Sequence, residues 1–346
     1  MSLADLVSTA DALVATGKGI LAADESTGTI KKRFDSINVE STEENRVSYR
    51  EMLFRTKGAA EFISGVILYD ETIRQNSALD GTPLVKVLQD QGIMPGIKVD
   101  KSTNPLAGST GELITDGLDG LRDRLAEYYQ IGARFTKWRA VITIGDGIPT
   151  NYCIEANAHQ LARFAALSQE ANLVPIVEPE VLMDGEHSID QCFAVTEATL
   201  RETYGQLGRQ GVNLEGSLLK PNMVLSGKNA PNRASAEEVA EKTITCFSRS
   251  VPAAVPGVVF LSGGQSDEEA TVNLNAINQL AAKVGVPWQM SFSYGRGLQA
   301  APLKAWGGQA ANLEKASQAY YRRAHVTGAA RRGEYSPTVE RDVAAN

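Results

Sequence analysis

The chain of 346 residues lacks the features that mark several large classes of protein. Its three cysteines, Cys153, Cys192 and Cys246, lie far apart without a C-x-x-C pair. We therefore expect no disulfide framework and no zinc cluster, and we expect a reducing compartment, the cytoplasm. No run of about 18 apolar residues is present, so no membrane-spanning helix is expected. The first twenty residues carry acids and no long apolar core, unlike a secretory signal.

Positive charge is also scarce. Lys and Arg number 34 against 41 Asp and Glu, a net charge of -7. That balance argues against a general nucleic-acid or membrane surface, and an anionic ligand would have to be held by local cations. The three histidines, His159, His187 and His325, are isolated along the chain, so no metal site is expected.

The sequence does contain a repeated unit, in which a short apolar run ends in a polar residue and a helical segment follows. The eight runs end near Asp24, Asp70, Lys98, Lys137, Glu178, Lys220, Ser262 and Ser293. Successive ends are about 30 to 45 residues apart, as expected for βα units with right-handed crossovers. Eight such units predict an α/β fold, a (β/α)8 or TIM barrel, as a single domain over residues 1–346.

The repeat is flanked by a predicted N-terminal helix over about 3–16 and by a polar tail over about 331–346, which we expect to be flexible. The alternative architecture is a doubly wound open sheet. Such a sheet normally carries a glycine-rich phosphate loop after its first strand. Here that position holds Asp24-Glu25-Ser26-Thr27-Gly28, which lacks the G-x-G-x-x-G spacing.

Charges of both signs recur at the predicted strand ends. In a (β/α)8 barrel the active site lies at the C-terminal ends of the strands, around one mouth. A single charged strand end near solvent needs no function, but charges at nearly all eight ends favour a site. The residues at or just beyond these strand ends are Asp24, Lys98, Lys137, Arg139, Glu178, Glu180, Lys220, Arg296 and the uncharged Ser262.

Lys220 ends the sixth run and is followed at once by Pro221. Burial and a neighbouring cation both favour the neutral amine of a lysine, which is a nucleophile toward ketones and aldehydes. Lys137 lies two strands away with the same strand parity, so it can point into the same barrel layer. The alternative explanation is that Lys220 is only the first exposed residue after a strand.

Carboxylates at the mouth suit the proton transfers that imine formation requires at the carbinolamine oxygen. Glu178 and Glu180 stand at i and i+2 and therefore face the same side of a strand. Asp24 is a further candidate. The alternative is that these acids only balance the charge of the lysines.

Two predicted loops suit an anion. Ser262-Gly263-Gly264 and Ser293-Tyr294-Gly295-Arg296 follow the seventh and eighth runs, where barrels frequently bind phosphate. A glycine after a strand is by itself usually just a turn, and the position of these loops is what favours a phosphate site. Lys98 and Arg139 lie across the mouth and are placed to hold a second phosphate.

Seven segments of the chain resemble the class I fructose-1,6-bisphosphate aldolases, in the order that the family has them. They are Leu21–Gly28, Pro95–Lys101, Phe135–Arg139, Pro175–Glu180, Leu218–Met223, Phe260–Gln265 and Phe292–Arg296. The resemblance, from about residue 3 to about residue 337, implies a (β/α)8 barrel that is usually a homotetramer. It implies reversible cleavage of fructose 1,6-bisphosphate to dihydroxyacetone phosphate and glyceraldehyde 3-phosphate in glycolysis and gluconeogenesis. It also implies no metal and no other cofactor.

The resemblance implies roles for the matching residues. Lys220 matches the Schiff-base lysine, Glu178 the main proton shuttle, and Lys137 a lysine that assists it. Asp24 matches the acid that deprotonates the hydroxyl on carbon 4, and Glu180 a supporting acid. The site of the carbon-1 phosphate matches Ser262, Gly263, Gly264, Ser293, Gly295 and Arg296, and that of the other phosphate matches Ser26, Thr29, Lys98 and Arg139.

One segment departs from the family pattern. Many members end in a tyrosine whose tail folds over the site and helps proton exchange at the enamine. This chain ends Asp342-Val343-Ala344-Ala345-Asn346, and its last tyrosine is Tyr335. The sequence therefore assigns no group to enamine protonation.

Two other functions stay open from the sequence. A transaldolase or another Schiff-base lyase would share the lysine, but paired phosphate sites favour a bisphosphate over fructose 6-phosphate. A non-catalytic scaffold would tolerate Lys220→Met, and the full set of charged strand ends argues against it.

Overall fold

The computed structural model describes residues 3–345, and for residues 342–345 it describes the backbone alone. Its strands are β1 Gly19–Ala23, β2 Ile63–Leu68, β3 Met94–Lys98, β4 Ser102–Pro105, β5 Leu113–Asp116, β6 Phe135–Ile142, β7 Val174–Val181, β8 Leu218–Leu219, β9 Gly257–Phe260 and β10 Gln289–Tyr294. Its helices are α1 Leu3–Leu13, α2 Thr27–Asp35, α3 Glu43–Phe54, α4 Asp70–Ile73, α5 Leu84–Gln89, α6 Leu121–Ile131, α7 Asn151–Glu170, α8 Ile189–Arg209, α9 Ala236–Ser250, α10 Asp267–Val284, α11 Arg296–Trp306, α12 Leu313–Arg331 and α13 Pro337–Ala345. Short 3-10 helices lie at Ala59–Glu61, Leu214–Gly216 and Ala310–Asn312.

Eight of these strands close into a parallel barrel, in the order β1-β2-β3-β6-β7-β8-β9-β10 and back to β1. Ile20 of β1 closes it, because it pairs with Gly65 of β2 on one side and with Ser293 of β10 on the other. Each of the eight apolar runs overlaps one of these strands, and helices connect them. Strands β6 and β7 continue past the predicted ends at Lys137 and Glu178, to Ile142 and Val181. The (β/α)8 barrel predicted from the sequence is therefore confirmed.

Strands β4 and β5 lie outside the barrel as an antiparallel hairpin, with Ser102 opposite Asp116. The hairpin follows the C-terminal end of β3, so it stands on the side of the barrel mouth. The Thr115 hydroxyl donates to the backbone oxygen of Arg139 on β6 at 2.8 Å, which fixes the hairpin against the barrel. No sequence pattern predicted this hairpin.

The outer face of the barrel is apolar and is covered by helices. Its inner face is also apolar at the N-terminal end of the strands. Ile20 and Ala22 of β1 belong to the inner cluster, whereas Leu21 and Ala23 belong to the large core between strands and helices. Burial on both faces explains why the strands appear as unbroken apolar runs rather than as alternating patterns.

Helix α1 closes the N-terminal end of the barrel. Its Leu6, Ala10 and Leu13 pack in one cluster with inward-facing side chains of the strands, namely Ile20, Ala22, Ile67, Phe135, Val174, Ile176, Leu218 and Val259. Phe135 fills the space above Gly96, where a Cβ would lie 2.3 Å from its ring. Since this end of the interior is filled with apolar side chains, polar groups can collect only at the opposite end.

Helix α13 occupies most of the tail that the sequence predicts to be flexible. Arg323 of α12 donates to the Glu340 carboxylate at 2.8 Å, and the Tyr335 hydroxyl donates to the same carboxylate. The flexibility of the tail stays a prediction, and its last residue, Asn346, lies outside the described residues. Between residues 3 and 345, no helix combines the length and the apolar character needed to cross a bilayer.

Candidate active site

Four charged side chains meet inside the C-terminal mouth of the barrel, each supplied by a different strand. Asp24 directly follows β1, Lys137 and Glu178 lie in β6 and β7, and Lys220 directly follows β8. Lys137, Glu178 and Lys220 are each 3% exposed. Charged side chains are almost never buried so fully unless they are paired.

The period of two along a strand explains why these side chains share the interior. Residues i and i+2 face the same side, so each inward face that is apolar at the bottom continues to the mouth. On β6 the interior Phe135 is followed by Lys137, and on β7 the interior Ile176 is followed by Glu178. Ala22 precedes Asp24 and Leu218 precedes Lys220 in the same way. The chain thus changes from apolar to charged at one level on four strands.

The four charges form a continuous chain of contacts. The Lys137 Nζ lies 2.6 Å from Asp24 Oδ2 and 3.1 Å from Glu178 Oε2. The other oxygen of Glu178, Oε1, lies 3.2 Å from the Lys220 Nζ. Glu178 therefore stands between the two amines, and the group carries two positive and two negative charges.

Mutual attraction outweighs burial in setting the charge states. Burial alone would raise the pKa of Asp24 and of Glu178, but the Lys137 and Lys220 side chains hold both pKa values below their usual range. Burial would lower the pKa of Lys137, whereas Asp24 and Glu178 raise it well above its ordinary value. Lys137 is thus a fixed cation between two carboxylates at neutral pH.

Two further ion pairs border this cluster. Arg139, next on the inner face of β6, donates from Nε to the Glu180 carboxylate. The Lys98 Nζ lies 2.5 Å from Asp100 Oδ1, and the other oxygen of Asp100 accepts from the Arg139 backbone N–H at 3.2 Å. Lys98 and Arg139 each have an acidic partner, so they form a cationic rim whose charge is partly balanced within the protein.

The other rim of the mouth is built from backbone and hydroxyl groups. Helix α11 begins at Arg296, and the N–H of Gly297 in its first turn points at the Ser262 hydroxyl, 3.4 Å away. Gly263 has φ of +56°, a left-handed conformation that glycine adopts without strain. Arg296 donates to the Gly263 backbone oxygen. The N-terminus of a helix is in general a favourable site for an anion.

The hydroxyl of Ser293 is available at the same rim. Its Oγ is buried and makes no hydrogen bond to any residue in the described range 3–345. Buried hydroxyls normally have a partner, so an unpaired hydroxyl in the wall of a cavity is suited to bind a ligand.

One cavity collects nearly all the residues that the sequence singled out. Its walls include Asp24, Ser26, Thr29, Lys98, Lys137, Arg139, Glu178, Glu180, Lys220, Ser262, Gly263, Ser293, Gly295 and Arg296. Gly264 is the exception, because it does not line this cavity. It packs beside Met183, whose Sδ would lie 3.3 Å from a Cβ built on Gly264.

Two charged residues in the cavity wall, Glu25 and Arg33, were not indicated by the strand-end pattern. The Arg33 Nη1 lies 2.5 Å from Glu25 Oε1, and Gln299 donates to the same oxygen at 2.8 Å. Arg33 is on helix α2 rather than on a strand, which is why the pattern passes over it. A usable signal was its spacing of i, i+4 from Thr29, because residues at that spacing share a helix face.

No metal site is apparent at this mouth or elsewhere in the described chain. Within residues 3–345, no group of three or more His, Cys, Asp or Glu side chains is placed to hold a metal ion.

Comparison with known proteins gives consistent likenesses across the chain. A family model described as "Fructose-bisphosphate aldolase class-I" matches residues 5–346. The chain is 57% identical over 336 residues to the "Probable fructose-bisphosphate aldolase class 1" of Xanthomonas campestris pv. campestris, covering 97% of this chain and 99% of the relative. It is 54% identical over 331 residues to the cytosolic "Fructose-bisphosphate aldolase 4" of Arabidopsis thaliana, covering 96% and 84%. Its structure is similar to that of a Plasmodium falciparum fructose-bisphosphate aldolase solved with TRAP and a small-molecule inhibitor, with a TM-score of 0.94, 50% identity and 96% coverage of both chains.

Proposed function

The chain belongs to the class I fructose-bisphosphate aldolase family, and we propose that Lys220 is the amine on which it forms its Schiff base. The enzyme is a lyase of glycolysis and gluconeogenesis. It cleaves fructose 1,6-bisphosphate reversibly to dihydroxyacetone phosphate and glyceraldehyde 3-phosphate through a lysine Schiff base. The proposal concerns which side chains perform each step.

The observation that carries the proposal is the position of Glu178 between two lysines. Glu178 lies 3.2 Å from the Lys220 amine and 3.1 Å from that of Lys137. Glu178 takes a proton from Lys220, and the free amine adds to the carbonyl carbon 2 of the open-chain ketose. The carbinolamine hydroxyl then takes the proton back from Glu178 and leaves as water, which gives an iminium ion.

Cleavage follows from the iminium. Asp24 accepts the proton of the hydroxyl on carbon 4, that hydroxyl becomes the aldehyde carbonyl, and the bond between carbons 3 and 4 breaks. The bonding electrons move into the iminium, which becomes a neutral enamine on Lys220. Glyceraldehyde 3-phosphate leaves, and after protonation at carbon 3 the second iminium is hydrolysed to dihydroxyacetone phosphate. Asp24 suits its role because its lowered pKa keeps it ionised and ready to accept a proton.

The remaining polar residues fit supporting roles. Lys137 holds Asp24 and Glu178 in place and keeps both ionised. Glu180 orients Arg139 at the rim. The carbon-1 phosphate is assigned to the N-terminus of α11 and its neighbours in the cavity wall, namely Ser262, Gly263, Ser293, Gly295 and Arg296, and Gly264 is left out because it does not line the cavity. The second phosphate is assigned to Ser26, Thr29, Lys98 and Arg139.

Arg33 is a further candidate for phosphate binding. It lines the cavity, and its Nη2 lies 3.6 Å from a Cβ built on Gly295, beside the carbon-1 phosphate site. Its guanidinium offers several donors in a fixed plane, a geometry that suits phosphate.

We also propose a homotetramer in the cytoplasm. The tetramer is the usual state of the family, and a relative in Arabidopsis thaliana is named as cytosolic. Light scattering after size exclusion would give four times the 37.1 kDa of one chain. A mass of one or two chains at micromolar concentration would contradict the tetramer.

Borohydride trapping tests the assignment of Lys220. The wild type is treated with borohydride and dihydroxyacetone phosphate, digested, and mapped for the reduced adduct. We expect the label on Lys220, its loss in Lys220→Met, and its retention in Lys228→Met, which alters a lysine in the following loop. Activity should also survive treatment with EDTA. Label on another residue would refute the assignment, and activity lost to chelator would refute a metal-free mechanism.

A further inference from the structure

The strand that leads to Lys220 is unusually short, so the hydrogen bonds between paired strands do not by themselves fix the position of the lysine. Strand β8 has two residues, which pair with Ile176 and Val177 of β7. The last backbone hydrogen bond of this pair runs from the Lys220 N–H to the Val177 oxygen at 2.8 Å. Beyond it, Pro179 of β7 has no N–H to donate across this pair, and the Pro221 oxygen accepts from the Leu261 N–H at 3.1 Å on the side of β9.

Asn222 replaces the missing ladder with its side chain. Its Oδ1 accepts from the Val181 backbone N–H of β7 at 3.1 Å. Its Nδ2 donates to the Thr196 hydroxyl at 3.1 Å and to the Met223 backbone oxygen at 3.0 Å. The residue is 4% exposed, so these bonds lie away from water. The loss of such a bond would leave a buried N–H unpaired, which is costly.

The bond joins the two segments whose separation matters most for the chemistry. Asn222 is two residues beyond Lys220, and Val181 follows Glu180 and lies three residues beyond Glu178. The Lys220 amine and the Glu178 carboxylate are 3.2 Å apart, so a displacement of about 1 Å between the segments would break their contact.

We infer that Asn222 is a positioning residue for the aldol reaction, whose side-chain amide holds the Lys220 segment in register with β7. This role rests on the proposed function of Lys220. Asn222 does not line the catalytic cavity, so it acts through Lys220 and Glu178 rather than on the substrate.

Three variants test this role. Asn222→Leu keeps the approximate shape of the side chain and removes its hydrogen bonds. Asn222→Asp keeps an acceptor for Val181 and removes the donor to Thr196. Asn278→Leu is the matched control, because Asn278 is also buried and bonded through both amide atoms, but on α10.

For Asn222→Leu we expect kcat to fall on the order of 10- to 100-fold, as misplacement of reacting groups by about 1 Å can cause. KM for fructose 1,6-bisphosphate should stay within about threefold, because the proposed phosphate contacts lie on other elements. Asn222→Asp should recover part of the lost kcat, and Asn278→Leu should keep the wild-type kcat even if its melting temperature falls. A purely structural role for Asn222 would instead lower stability and leave kcat of the folded enzyme unchanged.

A folded Asn222→Leu enzyme with wild-type kcat would overturn the inference. If Asn222→Leu does not fold, Thr196→Val replaces it, since it removes the side-chain acceptor that fixes the Asn222 Nδ2 to helix α8. Reduced kcat with unchanged KM in Thr196→Val supports the role, and wild-type kcat overturns it. Borohydride mapping of the wild type separates the two proposals. A label away from Lys220 refutes the proposed function itself, whereas a label on Lys220 with unaffected variants refutes only the role of Asn222.

Discussion

Replacing Lys137 by methionine removes the cation between two buried carboxylates and should make protein stability depend on pH in a new way. In the wild type, Lys137 and Lys220 hold the pKa values of Asp24 and Glu178 below those of free carboxyl groups, against the effect of burial. Both acids are therefore ionised in the folded and the unfolded chain above about pH 5. Above that pH they bind no proton in either state, so they do not make the free energy of unfolding depend on pH.

In Lys137→Met the effect of burial prevails for at least one of the two carboxylates, and its folded pKa rises above the unfolded value of about 4. Between those two pKa values the folded state binds a proton that the unfolded state does not. The free energy of unfolding then falls as pH rises, by about 1.4 kcal/mol per pH unit for one proton. The total grows with the number of pH units by which the folded pKa is raised, toward the roughly 3–5 kcal/mol that breaking a buried ion pair costs.

Urea unfolding followed by tryptophan fluorescence measures this effect at about pH 5.5 and about pH 7.5, at one fixed protein concentration. Lys137→Met should lose up to about 2.7 kcal/mol more stability, relative to wild type, at the higher pH. Lys31→Met is the control, because Lys31 pairs with Asp35 on an exposed face at 2.7 Å and such pairs contribute little. An equal loss for Lys137→Met at both pH values would refute the reasoning.

Two further predictions concern residues outside the four-charge cluster, which is formed by Asp24, Lys137, Glu178 and Lys220. Arg33→Leu should raise KM for fructose 1,6-bisphosphate about tenfold and change kcat less. Lys32→Leu is the control and should change neither constant, because Lys32 lies beside Arg33 on α2 but not in the cavity wall. If steady-state kinetics show that Arg33→Leu lowers kcat rather than raising KM, a binding role for Arg33 is excluded. Cys153, Cys192 and Cys246 are buried, and burial raises the pKa of Cys153 and of Cys246 to about 12. A thiol reagent at about pH 8 should therefore label none of the three in the native protein and all three in denaturant. Rapid labelling of the native protein would contradict this burial.

The apolar runs predicted the barrel because a strand that is buried on both faces must be apolar along nearly its whole length. The same reasoning predicted where the candidate active site lies, since only the mouth of the barrel can accept charged side chains. Lys137 and Glu178 lie within β6 and β7, at the level where the inner faces change from apolar to charged, and Lys220 directly follows β8. Their meeting inside the mouth follows from the period of two. Strand-end positions thus contain enough information to bring together side chains that lie far apart in the chain.

Other features depend on contacts that have no local signature. Strand β4, Ser102–Pro105, is polar and largely exposed, and strand β5, Leu113–Asp116, has only two apolar residues, so neither differs in composition or pattern from a loop. Residues 220–226 are all buried yet form no regular element. Their backbone depends on side chains of distant helices, as where Thr243 accepts from the Val224 N–H at 3.0 Å. Such pairings are set by the tertiary structure and cannot be inferred from spacing.

The four-charge cluster has a property that connects its burial to its chemistry: in the proposed mechanism its net charge stays zero. The ammonium of Lys220 is replaced by an iminium of the same charge. When Asp24 takes the proton from the hydroxyl on carbon 4, one negative charge disappears as the iminium becomes a neutral enamine. No step therefore leaves an unpaired charge in the buried mouth, which would cost several kcal/mol.

Lys137→Met breaks that balance at every step, because one negative charge is then in excess. The proton that the variant binds sits on Asp24 or Glu178, the groups that must be ionised to accept protons in the proposed mechanism. The ratio of variant to wild-type kcat should therefore be lowest at about pH 5.5 and rise toward pH 8, as the carboxylate ionises again. Stability moves in the opposite direction, since it falls as the same proton is lost. Parallel rather than opposed pH trends in kcat and unfolding free energy would show that no single carboxylate governs both.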